Sequence, residues 1–179
     1  MKKLMLHVLL GCLILTPFGN VIAQPSRPEP LQSPASLQHW VQQNITCQGD
    51  FVLEMQDPQF VASLKKAGVR FSRIETDGPP SGLMRLPRNI HIEGFNTQQI
   101  TYWADSGSEF FAQVQASVPA LEHALNSSEL PAAVTSHEHY TAGRFIHKPT
   151  KDDPFPPLLF IRATDNPKLT QVGCRTFDY

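Results

Sequence analysis

The densest group of potential metal ligands in the chain is His137-Glu138-His139, with His147 eight residues further on. On an extended strand His137 and His139 project to the same side, and two imidazoles so placed suit a zinc or copper ion, with His147 as a third nitrogen. Metal-assisted hydrolysis is the chemistry such a triad would do. The pattern is sparse, because no carboxylate follows at metal-barrel spacing and the segment reads as loop. Surface histidines are the simpler reading.

Other chemistries leave weaker traces. Cys47 and Cys174 are far apart, and in an oxidising compartment a distant even pair reads as one disulfide rather than as a nucleophile with a base. No Gly-x-Ser-x-Gly elbow occurs, and Gly78-Pro79-Pro80-Ser81-Gly82 lacks its spacing. Glycine loops that cradle phosphate are missing, so no nucleotide cofactor is expected, nor any other. Asp152 and Asp153 are adjacent acids in a proline-rich turn, where solvation explains them.

Binding is the remaining class. In Leu83 to Asp105, Ile90 and Ile92 alternate with Asn89, His91 and Glu93, and Ile100 and Tyr102 alternate with Thr101 and Trp103. That is a two-stranded hairpin, its turn supplied by Gly94 and Asn96. His91, Glu93 and Trp103 are candidate binding residues, since a surface tryptophan beside charges anchors interfaces. The competing reading covers Trp103 with the following segment. The stiff turn around Phe155, between Asp152 and Pro157, is a second candidate, because a rigid loop binds at little entropic cost.

Compartment follows from the N-terminus. Lys2 and Lys3 precede an apolar run, Leu4 to Leu15, and Val21-Ile22-Ala23 offers small-residue cleavage, so residues 1–23 read as a signal peptide. The run is shorter than the roughly 20 residues a membrane helix needs, so no transmembrane segment is expected after cleavage. Leu9-Leu10-Gly11-Cys12 also resembles a lipobox, which would leave a chain lipid-anchored through Cys12. The periplasm is the expected address, with secretion as an alternative. Removing two lysines leaves 13 basic against 16 acidic residues, a formal charge of about −3, with no electrostatic footprint for nucleic acid.

The elements that must position these residues follow in order. Residues 24–32, with prolines at 25, 28 and 30, form a linker, and residues 33–179 a single α+β domain. Ser33 and Pro34 open a helix whose buried stripe is Leu37, Trp40, Val41 and Ile45; His39 lies off it. Phe51 to Met55 reads as a strand. Asp57 and Pro58 open the clearest helix, which buries Phe60, Val61 and Leu64, carries Lys65 and Lys66 in its last turn and ends at Gly68.

Val69 to Ile74 alternates as a strand. Ser108 to Leu125 shows Phe110, Phe111, Val114, Val118, Leu121 and Leu125 at helical spacing, predicting a helix divided at Pro119. Leu158 to Ala163 and Leu169 to Phe177 form a second hairpin. The fold expected is an antiparallel sheet with helices on one face, with two tandem helix-plus-hairpin units as a variant reading, Phe60 to Leu64 being echoed by Phe110 to Val114. The function expected is an exported binding protein with a protein partner in the cell envelope, such as an inhibitor, immunity factor or accessory subunit. A metal-dependent hydrolase is the alternative.

Overall fold

The computed structural model describes residues 31, 33–73, 81–130, 134 and 139–177. The expected leader, Cys12, most of the linker, and His137 with Glu138 lie outside the described residues.

Local chemistry starts each helix. α1 (Pro34–Ile45) opens with a capping box: Ser33 Oγ accepts from Ser36 N–H at 3.1 Å, and Ser36 Oγ accepts from Ser33 N–H at 2.9 Å. Its stripe of Leu37, Trp40, Val41 and Ile45 is buried, and His39 is exposed. α3 (Pro58–Lys66) opens on Asp57, whose carboxylate accepts from Gln59 N–H, and buries Phe60 and Leu64. Between them Phe51 to Met55 is not a strand. It forms α2 (Phe51–Gln56), because Asp50 caps it through Leu53 N–H at 3.1 Å and Phe51 is its one fully buried residue; Leu53 is 45% exposed.

Seven strands follow: β1 (Arg70–Arg73), β2 (Ser81–Ile92), β3 (Phe95–Asp105), β4 (Gly107–Val114), β5 (Ala142–Phe145), β6 (Leu158–Ala163) and β7 (Thr170–Thr176). They make one antiparallel sheet in the order β1-β2-β3-β4-β7-β6-β5. The sheet is thus two meanders joined where β4 meets β7. The β2–β3 hairpin turns at Glu93 and Gly94, both at positive φ (39° and 89°), as a two-residue turn matched to strand twist requires. Asn96 is already in the strand, opposite His91. The β2 register slips between Arg85 and Ile90, where Pro87 could not have donated to the ladder.

The segment 108–125 is not one divided helix. Its first part is β4, and only α4 (Val118–Leu125), capped by Ser117, is helical. The physical reason is that β4 is buried on both faces: Phe110, Ala112 and Val114 point to the helices while Glu109 and Phe111 point away. A doubly buried strand loses the alternation that marks strands. Phe60 to Leu64 and Phe110 to Val114 therefore belong to different structures, a helix and a strand, and their echo has no structural counterpart. Helix-then-strands does recur along the chain, as α3-β1-β2-β3 and α4-β5-β6-β7.

All four described helices contribute to one core, on one side of the sheet, with Met84, Ile90, Ile92, Ile100, Phe110, Leu159, Ile161 and Val172. The opposite side carries a smaller cluster of Phe111, Leu130, Tyr140, Leu158 and Phe160 under the connections flanking β5. Gly173 permits close packing there, since a Cβ would overlap the Phe110 carbonyl and Phe111. No helix among the described residues is long and apolar enough to cross a membrane, which says nothing of strands.

Candidate functional site

The face opposite α1 to α4 is where ionisable groups are drawn inward. Alternation puts Glu109 of β4, Gln171 and Arg175 of β7, and Phe160 and Arg162 of β6 on this one side. Glu109, 2% exposed, takes two donors on Oε1: Tyr140 Oη–H at 2.5 Å and Arg162 Nη2–H at 2.8 Å. Arg162 Nη1–H donates to Gln171 Oε1 at 3.1 Å. Its guanidinium carbon lies 4.8 Å from the ring centroids of both Tyr140 and Phe160. Two donors on one carboxylate oxygen fix the Glu109 side chain against β6 and Tyr140.

Arg175 stands directly opposite Glu109 in the β4·β7 register. Its guanidinium lies 4.3 Å from the Trp103 ring centroid and 5.4 Å from that of Phe177. Phe177 in turn meets Phe155 at 5.9 Å. A ladder Trp103, Arg175, Phe177, Phe155 therefore runs from a half-buried indole to a phenyl ring that is 51% exposed. Trp103 lies under Arg175, on the face opposite α4. Each contact is of the cation-over-ring or ring-on-ring kind that gains from desolvation.

The structure thus unites two of the sequence-derived binding residues, Trp103 and Phe155, and separates the other two. His91 and Glu93 sit at the far tip of the β2–β3 hairpin: Trp103 pairs with Ser81 and His91 pairs with Asn96, so the seven β3 steps between them span roughly 24 Å. At that tip His91 Nδ1 lies 3.2 Å from Asn96 Oδ1, and Gln42 Nε2–H donates to Glu93 at 3.4 Å. Both are contacts a hairpin makes with itself and with α1.

Of the histidine triad, His139 is exposed and His147 Nε2 faces Asp153 Oδ2 at 3.2 Å, bracing the proline-rich turn. His137 lies outside the described residues. Among the described residues no group of three or more His, Cys, Asp and Glu stands close enough to share a metal ion. Cys47 and Cys174 do meet, with sulfurs 2.04 Å and Cα atoms 5.1 Å apart, disulfide geometry that ties the end of α1 to β7.

The chain matches no family model, no curated protein and no solved structure. Its site is therefore read from its own geometry alone.

Sequence reasoning missed Glu109, Tyr140, Arg162, Arg175 and Phe177. The last three were within reach, since period two in the second hairpin sets Phe160 with Arg162, and Arg175 with Phe177. Glu109 was hidden by the helical reading of its segment. A further carboxylate lies on the helix side: Glu54 accepts from Trp40 Nε1–H at 2.7 Å and Asn44 Nδ2–H at 3.2 Å. Burial raises its pKa above the ordinary carboxylate value, and the two hydrogen bonds only partly oppose that. Burial likewise raises the pKa of the Tyr102 phenol.

Proposed function

We propose that this chain is an exported binding protein without catalytic activity of its own, an inhibitor, immunity factor or accessory subunit that docks a protein partner of the cell envelope. The observation that carries the reading is the ladder from Trp103 to Phe155. A phenyl ring left half in solvent, yet backed by Phe177 and a guanidinium stacked on a tryptophan, is a stiff apolar projection with its entropy already lost. Aromatic and arginine side chains in this arrangement are those on which interface energy concentrates. Export is supported by the leader pattern and by the Cys47–Cys174 pair.

The test is capture of envelope and secreted proteins on the immobilised chain from Gln24 onward, beside Phe155→Ala and Trp103→Ala. A stoichiometric partner retained by the parent and lost by Phe155→Ala supports the proposal. A partner retained equally by both variants moves the interface elsewhere. Retention of nothing removes the protein-docking reading.

A further inference from the structure

On the face opposite α1 to α4, the part formed by β1 to β3 carries a second arrangement. Arg70 of β1 stands directly opposite Arg85 of β2, and Arg85 directly opposite Gln99 of β3. All three lie on the side away from Phe71, Met84 and Ile100, which pack toward the helices. Both arginines are exposed, and they border a groove of about 550 Å³ with Gly68, Pro87 and Gln98.

Like charges directly across an antiparallel pair repel and lower stability. The other arginines with described side chains have partners: Arg88 donates to the Pro34 carbonyl, Arg144 to the Leu125 carbonyl, Arg162 to Glu109, and Arg175 stacks on Trp103. Arg70 and Arg85 form no ion pair or side-chain hydrogen bond with any described residue. The chain is formally acidic overall, so this is a local concentration of cations against the global sign.

We infer that Arg70, Arg85 and Gln99 form a binding site for a phosphomonoester. Two guanidinium forks about 5 Å apart at Cα can each give paired N–H donors to a tetrahedral oxyanion. The Gln99 amide N–H is a further donor in the same row. A phosphomonoester, near −2 at neutral pH, neutralises both cations, where a single carboxylate leaves one over. One row further along the same face, Ser72 and Thr101 flank Leu83 about 7 Å away, placing hydroxyls where the ester's organic part would lie. This site is independent of the aromatic ladder, and either can fail alone.

Thermal unfolding and calorimetry with inorganic phosphate and phenyl phosphate, at fixed ionic strength, read the site directly. Expected is a saturable rise in Tm with either anion. Arg85→Gln and Arg70→Gln each weaken binding about tenfold. Because each also relieves repulsion, each unfolds at the same or a higher temperature than the parent in plain buffer. Co-sedimentation with vesicles of phosphatidylcholine containing phosphatidic acid distinguishes the two sources of this chemistry. Sedimentation lost in Arg85→Gln identifies a lipid headgroup; binding of soluble esters alone identifies a free one. No saturable response to millimolar phosphate, or a response unchanged in both variants, overturns the inference.

Discussion

On the helix side of the sheet, Phe110 meets Trp40 and Phe51 at 5.4 and 5.2 Å within a core of apolar aliphatic and aromatic side chains. On the other side, the rings of Phe111, Tyr140 and Phe160 surround Arg162, which is pinned to Glu109. The first side is stabilised by area removed from water, which is non-directional and tolerates substitutions that keep volume. The second depends on an ion pair between buried Glu109 and part-buried Arg162, whose desolvation cost is offset only while every partner stays in place. The side packed by α1 to α4 is therefore built for stability, and the opposite side for a fixed arrangement of groups. Holding Trp103 and Phe155 at set positions needs the latter.

Substitutions on both sides of the sheet test that contrast. The bridge belongs to the helix side, since Cys174 lies on β7 opposite Phe110 and Cys47 packs against the helical core. Closing a separation of 127 residues is worth about 4–5 kcal/mol on the chain-entropy model. The Cys47→Ala/Cys174→Ala protein should lose close to that in denaturant unfolding and become indifferent to reductant. Phe110→Ala should cost about 3–5 kcal/mol, as a large buried ring leaving a cavity does. Phe110→Leu, which keeps most of the volume, should cost far less.

On the opposite side the ranking by volume should fail. Glu109→Ala removes few atoms, yet strands the Arg162 charge among aromatic rings, and should cost about 3 kcal/mol. Replacing both partners, Glu109→Leu with Arg162→Met, should recover most of that loss while weakening partner capture. A double-mutant cycle with no coupling between the two positions would show the pair to be unimportant. Phe155→Ala, at the exposed end of the ladder, should shift stability by less than about 0.5 kcal/mol while abolishing capture.

The smallest effect belongs to Glu54. Its folded-state pKa is raised by burial, so the neutral carboxyl is the form the fold favours. That contribution is fully present below the unfolded value and is lost as pH rises from about 4.5 through the raised folded value. Glu54→Gln, which keeps acceptors for Trp40 and Asn44, should flatten this part of the pH–stability curve. A curve identical to the parent's would show that Glu54 is not the group responsible.

Where a residue's role is set by its sequence neighbours, the chain was legible. Ser33 and Asp57 each announce a helix because a cap needs only the next three residues. The β2–β3 hairpin shows itself because one of its faces meets solvent at Asn89, His91 and Glu93, leaving clean alternation. Legibility fails where tertiary surroundings decide: β4 is apolar on both faces, and α2 is six residues whose identity rests on the Asp50 cap. The site divides in the same way. Trp103 and Phe155 are conspicuous by type, but Arg175 and Phe177, which connect them, matter only once β7 lies between β4 and β6.

That position of β7 bears on how the molecule comes to be made. The strand that is last in sequence among the seven sits inside the sheet, with β4 on one side and β6 on the other. While the chain is still emerging, the β1–β4 meander has an open edge, Glu109 has no arginine across from it, and Cys47 has no thiol to join. β7 must then be in place before the ladder, the ion pair and the bridge can form, and all three depend on one late insertion. Folding should therefore be concerted around that insertion, with the unpaired β4 edge exposed until β7 arrives.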